Sequence, residues 1–135
     1  MAETLEFNVV HYYDLKAVGI PLDVSLIYNG KTSGFVAKID TGSTFCIFRR
    51  SHGELLDLEI ESGNPIQIGT ATGSFRVYGH QLTLTVLGIE NVSTVYFAES
   101  DYFDRNVLGR IGWLDRVKLG LIEREGKLFL SECKK

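Results

Sequence analysis

The sequence predicts a single all-β domain, a closed barrel or sandwich of about ten short strands with at most two short helices. Apolar and polar side chains alternate over many short runs, which is typical of strands with one buried face. Glycine and asparagine interrupt these runs at frequent intervals, as expected for tight turns. No repeat, linker or low-complexity segment is present. The 135 residues therefore suit one domain, residues 1–135, that buries roughly two-thirds of its unfolded surface.

Composition and charge exclude several classes of function. The chain is 44% hydrophobic and 23% charged, as is common for globular proteins, and its net charge of −3 argues against nucleic-acid binding. No apolar run has membrane-spanning length, so no membrane partner is expected. The start of the chain lacks the pattern of an export signal, which predicts a cytoplasmic location. The two cysteines form no disulfide framework, and the three histidines are scattered, so neither a metal nor a cofactor is expected.

The first half of the chain predicts strands at residues 5–13, 21–28 and 34–39. Asn29-Gly30 is a strong signal for a hairpin between the last two. One helical turn is predicted within residues 49–57, where Ser51 and Glu54 have the spacing of a capping box.

The second half predicts a long β-like region over residues 66–87, which begins with a long, mobile hairpin over residues 66–78 around a glycine-bounded tip. A strand at residues 92–98 follows, and the chain closes with a hairpin whose strands are residues 117–122 and 127–130. Ile111, Leu114 and Val117 have helical spacing, which predicts one short C-terminal helix over residues 110–116.

The chain is organised around Asp40, which stands between two strand-like runs within residues 35–48. It is followed by Thr41, Gly42 and Ser43, whose backbone N–H groups and hydroxyls can reach a carboxylate in a tight turn. Turns held by a packed scaffold often carry chemistry. Taken alone, these four residues favour the simpler interpretation, a hairpin turn with a solvated aspartate and no chemistry.

The order of three motifs gives a more specific interpretation. Asp40-Thr41-Gly42-Ser43 resembles the catalytic signature of aspartic proteases, and the glycine-rich hairpin lies where these enzymes carry a flap. Leu108-Gly109-Arg110 is similar to the segment that supports the catalytic loop in that family. A single Asp-Thr-Gly in a chain too short for two lobes resembles the retropepsins, the single-lobe aspartic proteases that work as homodimers. The resemblance spans roughly residues 21–130.

The resemblance implies a barrel or sandwich of the retropepsin type, with a flap hairpin and one short C-terminal helix. It also implies a homodimer that cleaves a peptide or protein substrate without a metal or cofactor. The implied catalytic residues are Asp40, Thr41 and Gly42, with the Thr41 hydroxyls locking the two loops together. The implied substrate-binding residues are Ser43, Gly69, Thr70, Ala71, Thr72 and Gly73, and the implied structural supports are Leu108, Gly109 and Arg110.

The sequence departs from the viral pattern of this family at the position of Thr44, where an acidic residue normally pairs with the arginine. Three alternatives therefore remain for Arg110: it caps the predicted helix, pairs with Glu54 or pairs with Asp104. The Ser43 hydroxyl is expected to bond the outer oxygen of Asp40. The terminal strands either interlock between two subunits or pair within one chain.

Two competing functions remain at the level of sequence. One is a retropepsin-fold module that holds an extended peptide without cutting it, and the weaker one is a barrel that binds a small apolar ligand. Intact Asp40, Thr41 and Gly42 favour the enzyme, because a mere binding module has no need for two repelling carboxylates. The molecular mass in solution distinguishes the enzyme from the binding module, since a strict monomer cannot bring two copies of Asp40 together.

Overall fold

The computed structural model describes residues 1–133, and it is built mainly of β-strands with one short α-helix. In chain order the elements are β1 Val9–Tyr12, β2 Pro21–Tyr28, β3 Lys31–Ile39, β4 Ile47–Phe48, α1 Arg50–Glu54, β5 Asn64–Thr70, β6 Gly73–Val86, β7 Ile89–Ala98, β8 Val107–Leu108, β9 Val117–Ile122 and β10 Lys127–Glu132. Single 3-10 turns occur at Ile60–Ser62, Leu114–Arg116 and Glu123–Glu125.

Seven strands form one sheet in the order β2-β3-β8-β4-β7-β6-β5, and β2 also pairs with β6. This extra pairing closes six of the strands into a ring, and β5 extends from the ring as the partner of β6. The predicted all-β class is confirmed, and the ring of pairings agrees with a closed barrel. None of the helices in residues 1–133 has the length and apolarity needed to cross a bilayer.

The strands form where side chains alternate between the core and the solvent. On β2, for example, Leu22, Val24 and Leu26 are buried within one apolar core. The predicted hairpin at Asn29-Gly30 is confirmed, because both residues adopt positive φ angles between β2 and β3. Such angles favour asparagine and glycine, which explains why this pair marks the turn.

The predicted C-terminal helix over residues 110–116 is wrong. Gly112 adopts a φ of 103° and Trp113 a φ of −134°, and neither angle continues a helix. Only one 3-10 turn follows, at Leu114–Arg116. The predicted helical turn near residue 50 is confirmed as α1, but Ser51 lies inside it and no side chain caps its start.

The strands near the two termini pair within one chain. β1 and β9 flank β10 in a three-stranded antiparallel sheet. Leu130 on β10 lies between Val9 on β1 and Leu119 on β9. Leu128 and Leu130 join the main core from this sheet. Of the two arrangements that the sequence left open, the structure has the intramolecular one.

Candidate active site

Asp40 lies in an exposed turn between β3 and β4. The Gly42 N–H donates to Oδ1 of Asp40 at 2.9 Å, and the Ser43 N–H donates to its main-chain carbonyl at 3.1 Å. A Cβ atom at Gly42 would lie 3.2 Å from the same Oδ1, so glycine lets the main chain come close to the carboxylate. A backbone N–H of the turn therefore reaches the exposed carboxylate, as the sequence predicts.

A second segment, residues 107–111, which includes β8, lies against this turn and is the supporting segment. The Asp40 N–H donates to the Leu108 carbonyl at 3.0 Å. On the far side of the turn, the Arg110 N–H donates to the Ser43 carbonyl at 2.9 Å and the Ile111 N–H to that of Thr44 at 2.8 Å. The supporting segment thus holds both ends of the turn by main-chain hydrogen bonds.

Gly109 occupies the most crowded point of this support. A Cβ atom there would lie 2.1 Å from the carbonyl oxygen of Phe45 and 2.8 Å from that of Ser43. These distances are far too short for real contacts, so only glycine lets the segment lie against the turn. Leu108 and Gly109 thus both contact the turn, and their supporting role in catalysis stays a prediction.

Cys46 completes the support from within the core, a role that the sequence did not predict. Its buried Sγ accepts a hydrogen bond from the Gly109 N–H at 3.4 Å. Burial raises the pKa of the Cys46 thiol to about 12, and the charge of Asp115 acts in the same direction, against the effect of the Gly109 N–H. The thiol is therefore neutral at physiological pH and serves as a structural group, since a nucleophilic cysteine needs its thiolate.

Two side chains of the predicted site make contacts other than those expected. The Ser43 hydroxyl donates to the Phe45 carbonyl at 2.7 Å, so its expected bond to the Asp40 carboxylate is wrong for this structure. Arg110 is exposed and forms no salt bridge with any residue in the described part of the chain. Glu54, one of its candidate partners, pairs instead with Arg50.

The predicted flap is a hairpin of β5 and β6 with Ala71 and Thr72 between them. At its tip, the Thr70 hydroxyl donates to the Gly73 carbonyl at 3.0 Å. The root of the hairpin packs on a small apolar cluster that is separate from the main core. This cluster consists of Ile47, Val77 and Tyr96 with Phe45, Ile66, Ile68, Phe75, Phe103 and Val107 around them.

A cleft of about 330 Å³ lies between the Asp40 turn and the hairpin. It brings together three of the predicted site residues, Gly42, Ser43 and Gly69. The full lining is Gly42, Ser43, Thr44, Phe45, Ile47, Gln67, Ile68 and Gly69. The other flap residues, 70–73, belong to the exposed tip and do not line this cleft.

A larger open cavity, of about 480 Å³, borders the other side of the turn. Its lining is Thr41, Thr44, Arg110, Ile111, Leu114 and Asp115. Ile111 is 49% exposed there. The Asp40 turn is thus flanked by a cleft towards the flap and by an open, partly apolar surface that includes Thr41.

Asn106 and His52 are further residues that the sequence did not single out. Asn106 directly precedes β8, and its side chain contacts both the His52 ring and the main chain on either side of the Asp40 turn.

No protein-family model matches the chain, and no curated protein matches it significantly. The function proposed below therefore rests on the geometry of the site and on the sequence motifs.

Proposed function

We propose that the chain is one subunit of a homodimeric, retropepsin-like aspartic endopeptidase. The observation that carries this proposal is the Asp40 turn, which presents an exposed carboxylate bonded by the Gly42 N–H beside a cleft under a long hairpin. The supporting segment with Gly109 holds the main chain of the turn, and the Gly42 N–H orients the carboxylate. Rigid placement of the reacting group is what such catalysis requires.

The chemistry needs two copies of Asp40. One carboxyl group cannot act at once as the base that activates water and as the acid that protonates the peptide carbonyl. Two carboxylates about 3 Å apart cannot both ionise, so the pair shares one proton and titrates as a unit. The ionised member takes a proton from the attacking water, and the protonated member donates to the carbonyl oxygen.

The surface around the turn supports a two-fold arrangement. Asp40, Thr41 and Gly42 are all exposed, so a second copy can approach the turn without disturbing the barrel. The cavity that includes Thr41 and the half-exposed Ile111 offers this copy a partly apolar contact surface. In the proposed dimer the Thr41 hydroxyls link the two turns across the axis.

The flap supports recognition of an extended peptide. β5 pairs with β6 alone among the described strands, so its other edge is free to bond a substrate strand. Strand addition of this kind supplies affinity through the main chain and specificity through alternating side-chain pockets. The apolar side chains that line the cleft, Phe45, Ile47 and Ile68, favour apolar substrate residues next to the scissile bond.

The test is cleavage of a complex peptide mixture, followed by mass spectrometry from about pH 4 to about pH 7. The Asp40→Asn variant preserves side-chain shape and an acceptor for the Gly42 N–H, and we expect it to lose cleavage by at least about 10³-fold. Asp23→Asn is the matched control, because Asp23 is exposed on β2 outside the site. Excess Asp40→Asn subunits should also inhibit the native protein, since mixed dimers contain one carboxylate.

Sedimentation of the same samples decides what a negative result means. Absence of Asp40-dependent cleavage by a protein that sediments as a dimer would contradict the enzyme. A strict monomer at micromolar concentration would contradict the shared site itself. In either case, binding of extended peptides to the cleft becomes the function to measure.

A further inference from the structure

The Asn106 side chain joins three parts of the structure. Its Oδ1 accepts a hydrogen bond from the Arg49 N–H at 2.9 Å, and its Nδ2 donates to the Val36 carbonyl at 3.2 Å. The same Nδ2 lies 3.3 Å from Nε2 of His52. Because the Arg49 N–H can only donate, the amide oxygen must face it, and this contact fixes the orientation of the whole amide.

These contacts connect the two arms of the Asp40 turn. Val36 lies on β3, which leads into the turn, and Arg49 follows β4, which leads out of it. The Asn106 carbonyl also accepts the Lys38 N–H at 3.0 Å, two residues before Asp40. One residue next to β8 therefore clamps the chain on both sides of the candidate catalytic carboxylate.

The hydrogen count determines the protonation state of His52. The amide nitrogen of Asn106 has two hydrogens and no acceptor capacity, so with one hydrogen bonded to Val36 the other is available for Nε2 of His52. Nε2 must therefore accept, which requires a neutral ring with its proton on Nδ1. Protonation would place N–H donors on both sides of this contact and break it.

The His52 ring cannot easily turn away from Asn106. It stacks on Phe35 with the ring centroids 4.0 Å apart and an angle of 14° between the planes. Rotation of the ring out of its plane would sacrifice that stack as well as the hydrogen bond. A change in the charge of His52 is thus transmitted to Asn106 rather than absorbed by a freely moving side chain.

We propose that Asn106 is a positioning residue for the Asp40 turn, and that protonation of His52 at acidic pH releases it. The inference rests on the proposed function only in treating Asp40 as the catalytic carboxylate. The Asn106 amide holds both arms of the turn through Arg49 and Val36, and neutral His52 accepts from the same amide. Repulsion from protonated His52 displaces this amide, so that the strand entering the turn separates from the supporting segment. The rigid form of the site therefore exists only above the pH at which His52 is protonated.

The charged surroundings of His52 set where this release occurs. Burial, and then the charge of Arg49, hold the pKa of His52 below its ordinary value. Arg50, the other cation of the same helix, is paired with Glu54 and Glu61. Other charged residues on the elements in contact with His52 are Lys31 and Lys38 on β3, and Asp104 and Arg105 before β8. None of these four is among the causes that lower the pKa of His52. The neutral ring therefore persists to a lower pH than that of an ordinary histidine.

Amide hydrogen exchange at Asp40 and Lys38 tests the proposal directly, because these N–H groups donate to Leu108 and Asn106. His52→Gln keeps an acceptor for Asn106 that does not titrate. The native protein and His52→Gln are compared at pH 7 and again at about pH 4.5. From the higher to the lower pH, we expect the protection of the native protein to fall about tenfold relative to that of His52→Gln. His11→Gln, on β1 of the other sheet, is the control and should behave as the native protein does.

A second variant reverses the sign of the effect. Asn106→Asp keeps an acceptor for the Arg49 N–H and can pair with protonated His52, so its protection should be higher at pH 4.5 than at pH 7. Asn106→Ala should be poorly protected at both. A loss that is identical in native and His52→Gln proteins, or an Asn106→Asp variant without reversed pH dependence, overturns the proposal. If amide exchange behaves as expected but the protein has no peptidase activity, the proposed function is refuted, whereas the role of Asn106 and His52 at the Asp40 turn is supported.

Discussion

The Asp40 turn and the flap hairpin are both exposed loops between strands, but they are built in opposite ways. The turn is held by hydrogen bonds to the segment around β8, with Gly109 packed so tightly that no Cβ fits. Among residues 1–133, hydrogen bonds at the flap tip run only between β5 and β6, and an added Cβ at Gly69 or Gly73 would meet no atom within 4 Å. One loop is fixed by the rest of the fold, whereas the other is free to adapt. This division suits a site that needs an immobile carboxylate and a movable cover.

Substitution of Gly109 should break this contrast most severely. In Gly109→Ala the added carbon would overlap the Phe45 carbonyl, which belongs to the main chain and cannot move alone. We expect a loss of more than about 4 kcal/mol in the free energy of unfolding, measured by urea denaturation. Gly69→Ala is the matched control, with an expected change within about 0.5 kcal/mol.

A mild effect of Gly109→Ala, close to that of Gly69→Ala, would show that the supporting segment can move away from the turn. The rigidity of the site would then be contradicted.

Removal of the thiol below the turn should have an intermediate effect. Cys46→Ala leaves the buried Gly109 N–H without its acceptor and opens a small void in the core. We expect a loss of about 2 kcal/mol in the free energy of unfolding, again from urea denaturation. Cys133→Ala is the control, since Cys133 is exposed and its change should stay within about 0.5 kcal/mol. Equal values for the two variants would mean that Cys46 does not support the turn.

The smallest effect is expected at the flap tip. Gly73 adopts a φ of 149°, which strains any residue with a side chain, although the surrounding space is open. We expect Gly73→Ala to cost about 1 kcal/mol, with faster amide exchange confined to β5 and the start of β6. Faster exchange at Asp40 in this variant would contradict the independence of the two loops.

Much of the fold is local and can be predicted from the sequence. The alternation of β2 and the Asn29-Gly30 hairpin follow from side-chain period and from backbone angles that few residues tolerate. The flap hairpin follows in the same way from its glycines, which bound a tip between two alternating arms. The turn at Asp40 could be placed because it is a short motif between two apolar runs.

The C-terminal helix was predicted wrongly because its spacing came from residues with unrelated environments. Ile111 is 49% exposed beside the Asp40 turn, whereas Val117 begins β9. Their distance along the chain matched a helical period by coincidence. Gly112, with its positive φ, was the signal against a helix.

The remaining parts of the site depend on contacts between distant residues. Asn106 lies more than 50 residues from Arg49 and His52, and Cys46 lies 63 residues from its donor at Gly109. No local pattern distinguishes such an asparagine or cysteine from one that merely fills a turn or a core. The pairing of the terminal strands is hidden for the same reason, since β1 and β10 stand at opposite ends of the chain.

That pairing has a consequence for the kinetics of the proposed enzyme. Because β1, β9 and β10 complete their sheet within one chain, no strand has to be exchanged when two subunits meet or part. Assembly is then a collision of two finished molecules, and at low concentration the amount of active enzyme grows with the square of the subunit concentration. Dilution switches such an enzyme off without unfolding it, and local enrichment on a scaffold or a substrate switches it on.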